Sequence, residues 1–96
     1  MNRELNEQII AMNGSVNQSI IAMEELAELQ QAISKSIRSM NGDPFVKYDT
    51  RQQLITEVAD VLICLNQLKL IYDISDEEID SMMELKEGRT QERYGL

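Results

Sequence analysis

The sequence contains no histidine and no tryptophan, and only one proline, one cysteine and four glycines. Each shortage excludes something. A ferritin-like di-iron centre in its usual form needs Glu-x-x-His on two helices, so it cannot be built here. Zinc hydrolase sites and Ser-His-Asp triads fail for the same want of imidazole. The lone Cys64 cannot close an intramolecular disulfide, which suits a reducing cytosol. It lies in the most apolar part of the chain and reads as a small buried hydrophobe. Four aromatic residues and a single proline argue against a sandwich or barrel. Positive charge is scarce as well. Nine basic residues against seventeen acidic ones leave a net charge of −8, which disfavours nucleic acid and anionic membrane as partners. The longest strictly apolar run, residues 61–65, is far short of a membrane span. The first apolar pair, Ile9 and Ile10, is too short for the core of a signal peptide. A cytoplasmic protein is therefore expected.

Ninety-six residues allow one domain, spanning 1–96. A chain this short buries only about 60–65% of the surface it exposes when unfolded, so its own core is modest. Three helix starts are written as capping boxes, a Ser or Thr answered by Glu or Gln three residues later. They are Ser15 with Gln18, Thr50 with Gln53, and Ser75 with Glu78. The pattern predicts a short first helix over residues 3–13, ahead of Gly14, and a second over 16–40. The second carries a broad apolar stripe through Val16, Ile20, Met23, Leu26, Ala27, Leu29, Ile33, Ile37 and Met40. Asn41–Gly42 and Asp43–Pro44 end it. A loop over 42–49 with Phe45 and Tyr48 follows, then helices over 51–72 and 76–92. The expected fold is all-α, a helical hairpin bundle.

Two of these helices carry acids at the same step of three. Glu25 and Glu28 lie in EELAEL, and Glu57 and Asp60 lie in EVADVL. That step puts both members of a pair on one helix face, one turn apart. The second pair is the more telling. In VADVLICL, residues 58–65, Asp60 is the only polar side chain. A helix apolar nearly all round is a buried helix, and carboxylates are rarely buried without something to neutralise them. If the two helices pack antiparallel, both pairs meet in one layer. Two carboxylates about 4 Å apart repel by roughly 4 kcal/mol at an effective dielectric of about 20, so the pairs would hold protons or bind a cation. An oxygen-only ligand set selects magnesium, manganese or calcium. EExxE on a helix surface is common without a ligand; it is the pairing with ExxD that raises the signal.

A third constellation follows on the last helix. Lys86, Arg89 and Arg93 form one stripe, with Tyr94 at its end. On an acidic chain this suits a phosphate clamp. It equally suits a solvated helix C-terminus, where the helix dipole favours cations.

Taken together, EELAEL, then EVADVL about thirty residues later, then Lys-x-x-Arg-x-x-x-Arg resembles the MazG-like all-α nucleoside triphosphate pyrophosphohydrolases. The resemblance runs from about Ile20 to Tyr94 and suits a compact bacterial or phage-type member. It implies a helical bundle completed by oligomerisation, as a homodimer or homotetramer. It implies hydrolysis of a nucleoside triphosphate to the monophosphate and pyrophosphate, dependent on Mg²⁺ with Mn²⁺ as a possible substitute. Carried over residue by residue, Glu25, Glu28, Glu57 and Asp60 match the metal ligands. Lys86 and Arg89, and less closely Arg93, match basic positions that would face the phosphates. Glu28 is the acid that would orient the attacking water. The competing expectation is a non-catalytic oligomeric helical protein that binds nucleotide or metal as a regulator, or serves as an adaptor.

Overall fold

A computed structural model describes residues 1–44 and 50–96, and all regular structure among them is helical. The expected loop residues Phe45 and Tyr48 lie outside the described residues. Helix α1 spans Arg3–Asn13, α2 Ser15–Met40, α3 Thr50–Ile71 and α4 Asp76–Tyr94. The starts and ends agree with the sequence pattern to within one residue, except that α4 runs on two residues to Tyr94.

The caps explain part of that agreement. Ser75 accepts a hydrogen bond from the Glu78 amide at 3.1 Å while the Glu78 carboxylate accepts from the Ser75 amide at 2.8 Å, a complete capping box. The box expected at Ser15 does not form. Gly14, at φ 88°, links α1 directly to α2, Ser15 is already helical, and Gln18 is engaged elsewhere. Thr50 is the first residue of α3, so the residue that would cap it, Asp49, is outside the described set. Asp73 turns the chain out of α3 at φ 52°, helped by the Ile74 amide donating to the Lys69 carbonyl at 2.9 Å.

Helices α2 and α3 form an antiparallel hairpin, with α1 packed against both at one end. The contact between α2 and α3 runs through small and polar side chains. Among the described residues the buried apolar ones are Ala22, Ala32, Val61 and Cys64, and the two alanines are only 2% and 1% exposed. Below them lies a chain of amides. Asn13 donates to Gln18 at 2.9 Å, Gln18 to Gln67 at 2.8 Å, and Gln67 to Asn6 at 3.1 Å. Three of these four, Asn6, Gln18 and Gln67, are buried, and the chain joins all three helices.

The broad apolar stripe of α2 is not what the hairpin buries. Met23 is 69% exposed, and Val16, Ile20, Leu26, Ile33, Ile37 and Met40 are exposed as well. The hairpin closes on a neighbouring line through Ala22, the half-buried Leu29 and Ala32, because alanines let two helices approach closely. The expected bundle is also incomplete within one chain. Helix α4 makes no close backbone approach to another helix; Asp76, Ile79 and Asp80 at its start share a cleft with Leu62, Leu65 and Leu68 of α3, and the Lys69–Asp76 ion pair at the turn ties it there.

Candidate metal centre

Counting in opposite directions from the Gln18–Gln67 bond brings Glu25 level with Asp60 about two turns along the hairpin and Glu28 level with Glu57 about three turns along. One carboxylate oxygen from each of Glu25, Glu28 and Glu57 lies within 4.8 Å of the other two. The antiparallel layer anticipated from the two acidic steps is thus formed by three of its four members. Asp60 stands close enough for its charge to act on Glu25 and Glu57, but its oxygens are not part of the converging set. Four like charges with nothing between them have no reason to close further.

The electrostatics follow from this crowding. The carboxyl of Glu25 is raised above its usual range, first by desolvation, then by the charges of Glu28, Asp60 and Glu57, with a hydrogen bond to Glu28 adding to them. Glu57 is raised by desolvation first and then by Glu28 and Asp60. No cation-bearing side chain is among the causes for either group. One oxygen of Glu25 and one of Glu57 are buried without any hydrogen-bond partner. A buried carboxylate oxygen without a partner is costly, and a hard cation held by these oxygens would remove the cost. The donor set is all oxygen, which fits Mg²⁺ or Mn²⁺ and offers nothing to a soft metal except Cys64 close by. Burial pushes the Cys64 thiol up, and the charges of Glu25 and Asp60 push it further, so it stays a thiol and behaves as the small hydrophobe the sequence suggests.

The basic stripe lies elsewhere. Lys86, Arg89 and Arg93 are exposed on α4. Since α4 meets α3 only at its start, no contact within the chain brings these cations to the carboxylates.

The amide chain is the feature that reading by motif overlooks. Its signal is present in retrospect. Gln67 lies seven residues after Asp60 and therefore on the same face of α3, and Gln18 lies seven before Glu25 on α2. Polar residues one heptad from a half-buried acid, on both helices of a hairpin, are candidates for one shared polar seam.

No helix among the described residues is long and apolar enough to cross a membrane. No protein-family model matches the sequence, and searches of curated proteins and of solved structures yield no significant match.

Proposed function

We propose that this protein is a Mg²⁺-dependent nucleoside triphosphate pyrophosphohydrolase of the MazG-like all-α type, acting in the cytoplasm as a homodimer or homotetramer. The observation that carries the reading is the convergence of Glu25, Glu28 and Glu57, with Asp60 beside them and two buried carboxylate oxygens left without partners. These four acids would hold the metal. When bound, Mg²⁺ supplies charge neutralisation at the triphosphate and acidifies water.

The chain's own groups would do the rest. Glu28 is the most exposed member of the converging set, so it is the acid that reaches a water from the solvent side and accepts its proton. Attack at the α-phosphorus breaks the bond to the bridging oxygen, and pyrophosphate leaves with the added negative charge. Lys86 and Arg89, with Arg93 behind them, would stabilise that charge. Turnover of a panel of canonical and damaged nucleoside triphosphates with Mg²⁺, with products identified, tests the reading. Monophosphate and pyrophosphate are expected; orthophosphate as the first product, or no turnover of any member, overturns it.

A second reading has an observation in its favour. Because α4 stands clear of the acids, the chain gathers a carboxylate cluster without a phosphate clamp beside it. This suits a regulator or adaptor that binds metal or nucleotide and does not turn it over. Binding of Mg²⁺ and nucleotide without any hydrolysis would select that alternative.

A further inference from the structure

The last turns of α3 and the first turns of α4 hold a cleft of about 670 Å³ between them. Its apolar lining comes from Leu62, Leu65 and Leu68 on α3 and from Ile74 and Ile79 across the turn. The three leucines follow at steps of three, which strings them along one side of the helix over about 9 Å. Three charges stand at the edge. Lys69 and Asp76 neutralise each other in the ion pair at the turn. Asp80, one turn into α4, is exposed, and its side chain has no ion pair or hydrogen bond among the described residues. The half-buried Asn66 amide, facing the cleft from α3, has no such partner either. The cleft therefore carries one uncompensated negative charge beside an apolar floor. None of Glu25, Glu28, Glu57 and Asp60 lines it. Leu65 is rotated about 140° from Asp60 around α3, so the cleft and the acid cluster open on different sides of that helix.

We infer that this cleft binds a small amphiphilic organic cation, a molecule with an aliphatic or aryl body that ends in one protonated amine. The body would lie on Leu62, Leu65 and Ile79. The ammonium would sit at the Asp80 carboxylate, with the Asn66 side-chain carbonyl as a second acceptor. Size supports a small molecule, because such sites span about 300–1,000 Å³ and join an apolar lining to a few placed polar groups. Charge then selects among small molecules. An ammonium answers the one unpaired charge of the cleft, a neutral molecule leaves it unanswered, and a carboxylate or phosphate would face it on a chain of net charge −8. The same charge disfavours a second copy as the occupant, since a copy of this chain brings more acid than base to an unpaired carboxylate. The site is separate from the carboxylate cluster and does not depend on hydrolysis, because its test reads binding and not turnover.

Octylamine, octanol and octanoate share one body and differ in charge, and they serve as the probes. Each is titrated calorimetrically into the full chain at neutral pH and low salt. Octylamine is expected to bind about tenfold or more tightly than octanol, and octanoate more weakly than either. Asp80→Asn should bring octylamine down to the affinity of octanol and leave octanol unchanged. The side chain is exposed, so helix content by circular dichroism should survive. Glu84→Gln, one turn further along α4 and outside the cleft, removes the same charge and should leave octylamine within about twofold of the parent. Leu62→Gln/Leu65→Gln should weaken octylamine and octanol alike, by about tenfold. Sedimentation should give one mass with and without octylamine. Absent binding, or equal affinity for octylamine and octanol, overturns the inference. So does a Glu84→Gln loss as large as that of Asp80→Asn, or undiminished binding by the leucine variant. Binding that occurs only with a fall in mass assigns the cleft to a second copy and overturns it as well.

Discussion

Glu57 is held where its charge is opposed by burial and by two neighbouring acids, and this makes it the residue through which the cluster is most simply tested. Glu57→Gln or Asp60→Asn should abolish turnover. The same changes should preserve or raise the stability of the metal-free protein, since each removes a repelling charge from a crowded layer. Thermal melts of the parent should rise with Mg²⁺, and those of the two variants much less; an equal rise in all three would remove the assignment of these acids as one site. The pH dependence has a definite sign. Glu25 and Glu57 are raised above 4.5 in the folded chain, so the folded state binds more protons than the unfolded one. Their destabilisation is fully present above the raised values and disappears as pH falls to 4.5. The metal-free protein should therefore melt higher as pH falls from neutral towards 4.5, and Glu57→Gln should flatten that rise. Saturating Mg²⁺ should also flatten it, because protons and metal compete for the same oxygens. Glu78 works the other way. Its carboxyl is lowered by the bonds to Ser75, so the α4 cap holds above 4.5 and weakens as pH falls through that lowered value. At this scale the acids were legible from their spacing, because a step of three fixes a helix face whatever the tertiary packing. The partial exclusion of Asp60 was not, since spacing places a side chain on a face but does not say how far repulsion keeps it from its neighbours.

Among the elements, α4 departs most from expectation. At 100° per residue its acids Glu77, Asp80, Glu84 and Glu87 share one side, while Ile79, Met82, Lys86, Arg89 and Arg93 share the other. Only the start of this helix, at Ile79, lies beside α3, so Lys86, Arg89 and Arg93 further along are left exposed. If Lys86 and Arg89 bind substrate phosphate, Lys86→Ala or Arg89→Ala should each lower kcat/KM by about ten- to a hundredfold, the loss of one charge-assisted bond. Lys69→Ala makes the comparison. That side chain is paired with Asp76 at the α3–α4 turn, so its loss should cost about 1 kcal/mol of stability at most and leave kcat/KM unchanged. Parent-like kinetics in all three would reduce the stripe to a solvated helix end. Helix limits were read closely because caps and breakers act locally: Gly14, Asn41–Gly42 and the Ser75–Glu78 box each sit at an end. The burial of α2 was less legible. Periodicity identifies an apolar stripe but not its partner, and here Ala22 and Ala32 face α3 while the larger side chains are turned away. An apolar side chain that stays exposed on the hairpin looks, in sequence, like one that is buried in it.

At the scale of the whole molecule, the chain is a slab of 44 × 42 × 20 Å. Two neighbouring helices that meet through small residues could slide by a turn with little loss of contact. The amides at the α1 end do not allow it. A shift of one turn would set Gln18 against Cys64 or Ile71 in place of Gln67 and leave buried donors and acceptors unmet. The seam therefore acts as an index mark for the hairpin. It locks the vernier at one setting, and that setting is the one that brings Glu25 level with Asp60 and Glu28 level with Glu57, two to three turns away. Replacing the mark with grease should loosen the alignment without melting the protein. In Asn6→Leu/Gln18→Leu/Gln67→Leu the melting temperature without metal should hold or rise, as when a buried polar set is exchanged for apolar side chains. The rise on adding Mg²⁺ should shrink, although no altered residue touches the carboxylates. An undiminished response to Mg²⁺ would mean that the acids find one another unaided. On the opposite result, the accuracy of the site is set at the far end of the hairpin, by groups that take no part in its chemistry.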